Sequence, residues 1–187
     1  AVIAYWTAYF KANYPVEYLT ALLNCYIGGN ERIAVAVREC ARLKIKVLPP
    51  DVNRSGVEFG IDIDDEGQRA IRFGLTAIKN VGAGAVASLT ESRDTHGPFS
   101  SLEEFCREAD LSGLNRRALE SLIKAGALDG LGRRGSLLAN IERILSVAQR
   151  EVRLRQSGQT TMFDLLGQSV PTPLGGLDLV EAEEVTS

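Results

Sequence analysis

The chain has 187 residues, of which 45% are hydrophobic and 24% charged, and its formal net charge is −3 at pH 7. This composition is typical of a globular protein with room for one or two small domains. The apolar runs are too short to span a membrane and no signal peptide opens the chain, so we expect a cytoplasmic protein without a membrane partner.

Residues 1–54 are predicted to be helical. Three helices are expected there, over Tyr5–Tyr14, over Pro15–Tyr26, and from a capping Asn30 to about Lys44. Pro49 and Pro50 keep the segment that follows extended. Because the first residues already have the pattern of a helix interior, with no cap, we expect a piece of a longer protein. The three cysteines, Cys25, Cys40 and Cys106, lack paired spacing and are expected to be buried free thiols.

Residues 55–74 are predicted to form a β-hairpin. Apolar and polar residues alternate over Phe59–Ile63, Asp64–Gly67 is expected to turn the chain, and Ile71–Phe73 forms the return strand. The four acids between Asp62 and Glu66 could indicate a metal site. Acidic, Gly-containing stretches are ordinary turn chemistry, however, and no EF-hand pattern fits, so no metal ligand is predicted.

The segment Ile78–Leu89 has the pattern of a helix–hairpin–helix. A short apolar helix around Leu75 is expected to end at a tight turn, Asn80–Gly82, and a second helix is expected to begin at Ala83. Asn and Gly are the residues that best tolerate a positive φ. The second helix would present unpaired N–H groups and its positive dipole end to solvent, which suits a phosphate. An ordinary Gly-containing turn between helices is the other interpretation.

Three more helices are predicted after a Gly97-Pro98 turn. A capping box, either Ser100 with Glu103 or Ser101 with Glu104, is expected to start the first, which ends near Ala109. Asn115 is expected to cap the second, which ends near Gly126. Ser136 is expected to open a long amphipathic helix through residue 155, followed by a linker. The predicted fold class is therefore mainly α with a small β-hairpin.

Charge is unevenly distributed along the chain. Residues 113–155 carry nine basic and four acidic side chains, whereas residues 156–187 carry five acidic side chains and no basic one. A basic block followed by an acidic segment is typical of a local surface that faces nucleic acid, with a tail after it. A solvated helix face is the alternative interpretation, and it is common for Arg and Lys on helices.

The sequence predicts no catalytic residue. The single histidine, His96, is expected to lie in a surface turn without a partner, and no Gly-rich phosphate loop ending in Lys-Ser/Thr is present. A base-excision glycosylase is one alternative, because such enzymes join a helix–hairpin–helix to a Gly/Pro-rich loop and a catalytic Asp, which Gly97-Pro98 and Asp110 superficially supply. A helical scaffold for protein interactions, in which the hairpin only joins helices, is the other.

Six segments carry a resemblance to a known family: Tyr5–Tyr18, Glu39–Arg42, Val47–Asn53, Ile71–Gly82, Gly97–Phe99 and Asn115–Asp129. Together, in this order and over roughly residues 1–166, they resemble the alpha subunit of the bacterial replicative DNA polymerase III. Two departures are Trp6, where the family has Gln, and Asn80, where it has the first Gly of the hairpin. Because Asn can adopt the same backbone conformation, we expect the turn to survive.

The resemblance implies a division of the chain. It assigns 1–54 to the C-terminal part of the fingers, 55–74 to a β-hairpin connector, 75–135 to a tandem helix–hairpin–helix, 136–155 to a long amphipathic helix, and 156–187 to a clamp-binding segment and flexible tail. It also implies that the catalytic palm aspartates, with their Mg, lie upstream. We therefore expect no cofactor and no polymerisation by this chain alone.

The resemblance implies two kinds of binding residue and three partners, namely duplex DNA, the sliding clamp and the remainder of the polymerase. The expected DNA-binding residues are those of the first turn and the neighbouring cations, Lys79, Asn80, Gly82, Ala83, Gly84, Arg116, Arg117, Arg133 and Arg134. Asn115–Asp129 would match the second, more degenerate unit. Gln159, Met162 and Phe163 resemble the family's clamp-binding peptide, in which a Gln and two apolar anchors occupy a pocket. Alternatively, Met162, Phe163, Leu165 and Leu166 fold back as a small satellite core cluster.

Overall fold

The computed structural model describes residues 2–111 and 113–156. Its elements, in chain order, are α1 (Val2–Asn13), α2 (Pro15–Cys25), α3 (Asn30–Arg42), β1 (Val47–Leu48), β2 (Gly60–Ile63), β3 (Arg69–Arg72), a 3₁₀ turn (Leu75–Ala77), α4 (Ala83–His96), α5 (Leu102–Glu108), α6 (Arg116–Lys124), α7 (Arg134–Ala139) and α8 (Ile141–Gln156). The predicted class, mainly α with a small β-hairpin, is confirmed. None of the helices in these ranges is both long and apolar enough to cross a bilayer.

The β-hairpin forms where the alternation predicts it. Strands β2 and β3 pair antiparallel, with Ile61 opposite Ile71, and the segment before them adds a third strand, because β1 pairs parallel to β3. The Asp64 side chain holds the acidic turn, since its Oδ1 accepts from the backbone N–H groups of Glu66 and Gln68 at 3.0 and 2.8 Å. The Lys46 ammonium lies 2.8 Å from Asp64 Oδ2 and lowers the pKa of that carboxyl.

Buried side chains form two cores. The sheet core packs α2 and α3 on the sheet, and its members are Leu19, Leu23, Ile33, Ala36, Cys40, Ile45, Phe59 and Ile71. The helical core joins the 3₁₀ turn and α4–α8, with buried side chains from Leu75 to Ala148 together with Val52. Phe73 packs against both cores. Helix α1 contributes no buried side chain, and its exposed aromatic residues, among them Tyr5, Trp6 and Phe10, contact one another.

Two predicted helix starts are correct in detail. Ser101 caps α5 by accepting from the N–H of Glu104 at 3.1 Å, which selects the Ser101–Glu104 pair, and the Glu104 carboxylate accepts in turn from the N–H of Ser100 at 2.7 Å. Asn115 caps α6 by accepting from the N–H of Ala118 at 2.9 Å. The predicted end of α6 is also confirmed, because Gly126 takes a φ of +86° just after it.

Two other helix starts are wrong. Asn30 is the first residue of α3, and Gly29 occupies the cap position without a side-chain hydrogen bond. Ser136 lies inside α7, and the expected long helix is two helices that break at Asn140. The Asn140 amide donates to the carbonyl of Ser136 at 2.8 Å, and such a local side-chain bond competes with the helical pattern.

The cysteines and the histidine also differ from expectation. Cys40 and Cys106 are buried, but Cys25, the last residue of α2, is exposed. His96 is the last residue of α4 rather than part of a loop, and it has partners. Its Nδ1 lies 3.0 Å from the carbonyl oxygen of Ser92, and its Nε2 lies 3.6 Å from Glu108 Oε2.

Candidate nucleic-acid interface

The turn between the 3₁₀ segment and α4 has one residue in the left-handed region. Asn80 takes a φ of +66°, whereas Gly82 is extended, with φ −85° and ψ 146°. Its neighbours Ile78 and Val81 are buried in the helical core, and the N–H of Val81 donates to the carbonyl of Ile78 at 3.2 Å. The turn therefore anchors its apolar side chains inward and exposes its polar ones. The helix before it is shorter than the motif pattern predicts, a single 3₁₀ turn.

The N-terminus of helix α4 is exposed and carries no capping side chain from the described part of the chain. Gly82 occupies the cap position, and no side chain of the described residues caps the helix there. The first intrahelical bond runs from the N–H of Val86 to Gly82 at 3.2 Å, so the N–H groups of Ala83 and Gly84 point outward. Both residues are exposed, and a Cβ on Gly82 or Gly84 would meet no described atom within 4 Å. An anion can approach these N–H groups closely.

The five predicted cations divide into two groups. Lys79, Arg117 and Arg133 are exposed and form no ion pair with another described side chain. Arg116 pairs with Glu142 at 2.7 Å, and because both side chains are largely exposed, that pair is weak. Arg134 forms a bidentate ion pair with Asp129, and these hydrogen bonds raise the pKa of the guanidinium.

Helix α6 lies against the first turn. Asn80 Nδ2 donates to Ser121 Oγ at 3.1 Å, and a Cβ on Gly113 would come within 3.1 Å of the Cα of Ala85. Arg117 lies one helical turn before Ser121 and therefore shares its face of α6. The fold thus places Arg117 on the side of α6 that faces the turn carrying Lys79. The sequence does not show this proximity, because it depends on tertiary packing.

In the second unit of the motif, side chains of the unit itself occupy the surface beside the loop and the start of α6. Helix α6 leads into a loop over residues 125–133 and then into α7, which has only six residues. A Cβ on Gly126 would meet Arg134 Nη2 at 2.5 Å and Asp129 Oδ2 at 2.9 Å, so the ion pair fills the space beside the loop. The start of α6 is also occupied, by the Asn115 side chain. The first unit therefore offers the more open surface of the two.

Other residues considered in the sequence lie away from this surface or outside the described chain. The backbone N–H of Asp110 donates to Ser92 Oγ at 3.1 Å, so Asp110 lies beside α4 after the end of α5. Among the described residues no group of three or more His, Cys, Asp or Glu side chains could hold a metal ion. Gln159, Met162 and Phe163 lie outside the described residues.

Comparison with known proteins connects these features to a family. Residues 44–137, which include the whole of the first turn and most of the second unit, match the helix-hairpin-helix motif family. The chain is 42% identical over 174 residues to the DNA polymerase III subunit alpha of Thermus aquaticus, a match that covers 93% of this chain and 14% of that protein. It is 40% identical over 170 residues to the same subunit of Mycobacterium tuberculosis, with 90% and 14% covered.

A third relative, the DNA polymerase III subunit alpha of Deinococcus radiodurans, is 41% identical over 167 residues, with 88% of this chain covered. The chain spans between 12% and 14% of the length of these three relatives.

Proposed function

The chain belongs to the family of DNA polymerase III alpha subunits and carries its helix–hairpin–helix motif, and on that premise we propose that it holds duplex DNA by its phosphates. The observation that carries the proposal is the open start of α4, with the exposed Lys79 before it and Arg117 facing it from α6. Backbone N–H groups and unpaired cations bind phosphate oxygens without contacting base edges. Binding is therefore independent of sequence.

The role proposed for this segment is support of the polymerase rather than chemistry. Phosphate contacts fix the position and direction of a duplex. A segment that holds the duplex in this way keeps the template and the new strand in place while the remainder of the polymerase carries out polymerisation. The membership of the chain in a polymerase family supports this role over that of a repair glycosylase.

The test places a negative charge at the start of α4. Gly84 is the second residue of the helix, and its surface is open. Gly84→Asp adds a carboxylate that interacts favourably with the helix dipole and raises helix propensity, so the free energy of unfolding stays the same or rises. The same carboxylate repels a phosphate. We expect the affinity for a fluorescent duplex, measured by anisotropy, to fall about 10-fold or more at low salt, as the loss of one charge-assisted contact predicts.

The matched control is Gly84→Asn, which has nearly the same shape and no charge. The chain with Asn should bind more tightly than the chain with Asp, and two duplexes of unrelated sequence should bind equally well. Equal affinities for Asp and Asn, or an affinity of the unmodified chain that does not change with NaCl concentration, contradict the proposal.

A second binding function is proposed for the segment after α8. Gln159, Met162 and Phe163 form a pattern of one polar and two apolar anchors on a Gly-containing stretch, which supports docking into a pocket of the sliding clamp. Replacing Met162 and Phe163 together with Ala removes both anchors and should abolish capture by an immobilised bacterial sliding clamp. The matched control replaces Thr160 and Thr161 with Ala and should bind normally. Equal capture of the two double variants would contradict this proposal.

A further inference from the structure

The side chain of Asn80 is exposed at the turn, and it reaches α6. Its Nδ2 donates to Ser121 Oγ at 3.1 Å, and Ser121 lies near the middle of α6, which runs from Arg116 to Lys124. A glycine would tolerate the φ of +66° at this position at least as well, but it has no side chain that could make the bond. The amide therefore adds a cross-link that the backbone of the turn does not require.

The two elements joined by this bond carry Lys79 and Arg117, two of the three predicted cations that form no ion pair with another described side chain. Lys79 immediately precedes Asn80, and Arg117 lies one helical turn before Ser121 on the same face. Val81 of the turn and Leu122 of α6 are both buried in the helical core, so the two elements pack together without the hydrogen bond as well. What the bond adds is a fixed relation between their exposed faces.

We propose that Ser121 is a positioning residue for duplex binding. By accepting from Asn80, it holds Arg117 beside Lys79 and the start of α4, so that one run of phosphates meets all three together. Contacts made in a preorganised geometry lose less ordering entropy, and each one raises the effective concentration of the next. This inference rests on the proposed binding of duplex DNA.

The test removes the acceptor and leaves every charge in place. The 187-residue chain and its Ser121→Ala variant are titrated with a fluorescent duplex over a series of NaCl concentrations. The affinity of the variant should fall about 3- to 10-fold, the range expected from the loss of one hydrogen bond. The slope of log affinity against log salt should become shallower by about one, because Arg117 no longer engages together with the turn. Ser121→Thr keeps the hydroxyl and should restore both values.

A second variant separates positioning by Asn80 from a direct phosphate contact. Asn80→Gly keeps the turn geometry and removes the amide, so it should lose as much affinity as Ser121→Ala, and the double variant should lose no more. Additive losses in the double variant would overturn the proposal, because Asn80 would then act independently of Ser121.

The remaining outcomes distinguish failure of the positioning role from failure of the proposed duplex binding. An affinity and salt slope of Ser121→Ala equal to those of the unmodified chain would overturn the positioning role alone. An unmodified chain that does not bind the duplex, or binds it independently of salt, would overturn the proposed function and this inference with it. Circular dichroism of each variant confirms that the helices are retained.

Discussion

Asn53 and Phe99 exchange two hydrogen bonds. The Asn53 amide donates to the carbonyl of Phe99 at 2.8 Å, and the N–H of Phe99 donates to Asn53 Oδ1 at the same distance. The bonds connect the loop after β1 to the turn after α4. Arg93 reinforces the connection, because its Nη1 donates to the carbonyls of Val52 and Ser55 at 3.2 and 2.7 Å. The side chains of Asn53 and Arg93 therefore link the loop after β1 to α4, the helix that begins at the proposed DNA-binding surface.

Asn53→Ala should destabilise the chain. Phe99 is buried, so the loss of the amide leaves a backbone donor and a backbone acceptor in a poorly hydrated place. We expect the free energy of unfolding, measured by urea denaturation, to fall by roughly 2 kcal/mol or more. Asn30→Ala is the matched control, because Asn30 is exposed, and it should change the value by less than about 0.5 kcal/mol. Equal effects at the two positions would show that the Asn53–Phe99 bonds do not stabilise the fold.

Arg117 and Arg134 should behave differently when each is replaced by Gln. Arg117 is exposed and forms no ion pair with another described residue, so Arg117→Gln should reduce the slope of log affinity for duplex DNA against log salt by about one and leave the melting temperature unchanged. Arg134 pairs with Asp129 beside Gly126, so Arg134→Gln should lower the free energy of unfolding by about 0.5–1 kcal/mol.

Duplex titrations by anisotropy and urea denaturation of the same two samples check both halves of this prediction. If Arg134→Gln changed the salt slope as much as Arg117→Gln does, the second unit would contact phosphates as directly as the first.

Local sequence signals predicted the fold where one residue decides the structure. Asn115 and Ser101 cap their helices because their short side chains reach an N–H three residues on, and Gly126 ends α6 because the chain there needs a positive φ. The break at Asn140 was missed, because an Asn between two apolar stretches fits one amphipathic pattern as well as two. Whether the helix continues or breaks at Asn140 depends on the hydrogen bond from its side-chain amide to the Ser136 carbonyl, which only the folded chain shows.

The candidate site was predictable in part for the same reason. The turn around Asn80 and its positive φ follow from short-range preferences. The pairing of Arg134 with Asp129, and the approach of α6 to the turn through Ser121, arise from tertiary packing. A list of basic residues from the sequence therefore could not distinguish a cation free to bind phosphate from one that is already paired.

Acid should destabilise the contact between α1 and α3. Glu39 lies 2.7 Å from the Lys11 ammonium and accepts two hydrogen bonds from Arg42 at 2.8 Å. Hydrogen bonds from Arg42 and Lys11 lower the pKa of Glu39 from 4.5 to about 2. A carboxyl whose pKa is lower in the folded than in the unfolded state stabilises the folded state at pH values above the unfolded pKa. For Glu39 that contribution is lost as the pH falls from about 4.5 towards 2.

Glu39→Gln tests this prediction. The variant should be less stable than the unmodified chain at pH 7, and the difference should shrink to nothing near pH 2. Asp64 keeps part of the pH dependence in the variant, since Lys46 also lowers its pKa. Urea denaturation at intervals from pH 7 to pH 2 measures the difference, and a gap between the two chains that is independent of pH would contradict the prediction.

The three cysteines can report whether the two cores unfold together. Cys25 is exposed, Cys40 belongs to the sheet core and Cys106 to the helical core. Burial raises the pKa of Cys106 to about 12 and also raises that of Cys40, so at pH 8 only Cys25 should react with Ellman's reagent at once. Cys25→Ser should remove this fast phase.

With increasing urea, Cys40 and Cys106 should become reactive in a single transition. Phe73 packs against both cores, and the bonds from Asn53 and Arg93 cross from the loop after β1 to the helical core. Opening one core therefore breaks contacts that the other needs, which is the condition for cooperative unfolding. In Asn53→Ala the link is weakened, so the two thiols should separate into two transitions. Two transitions in the unmodified chain would instead show that each core folds without the other.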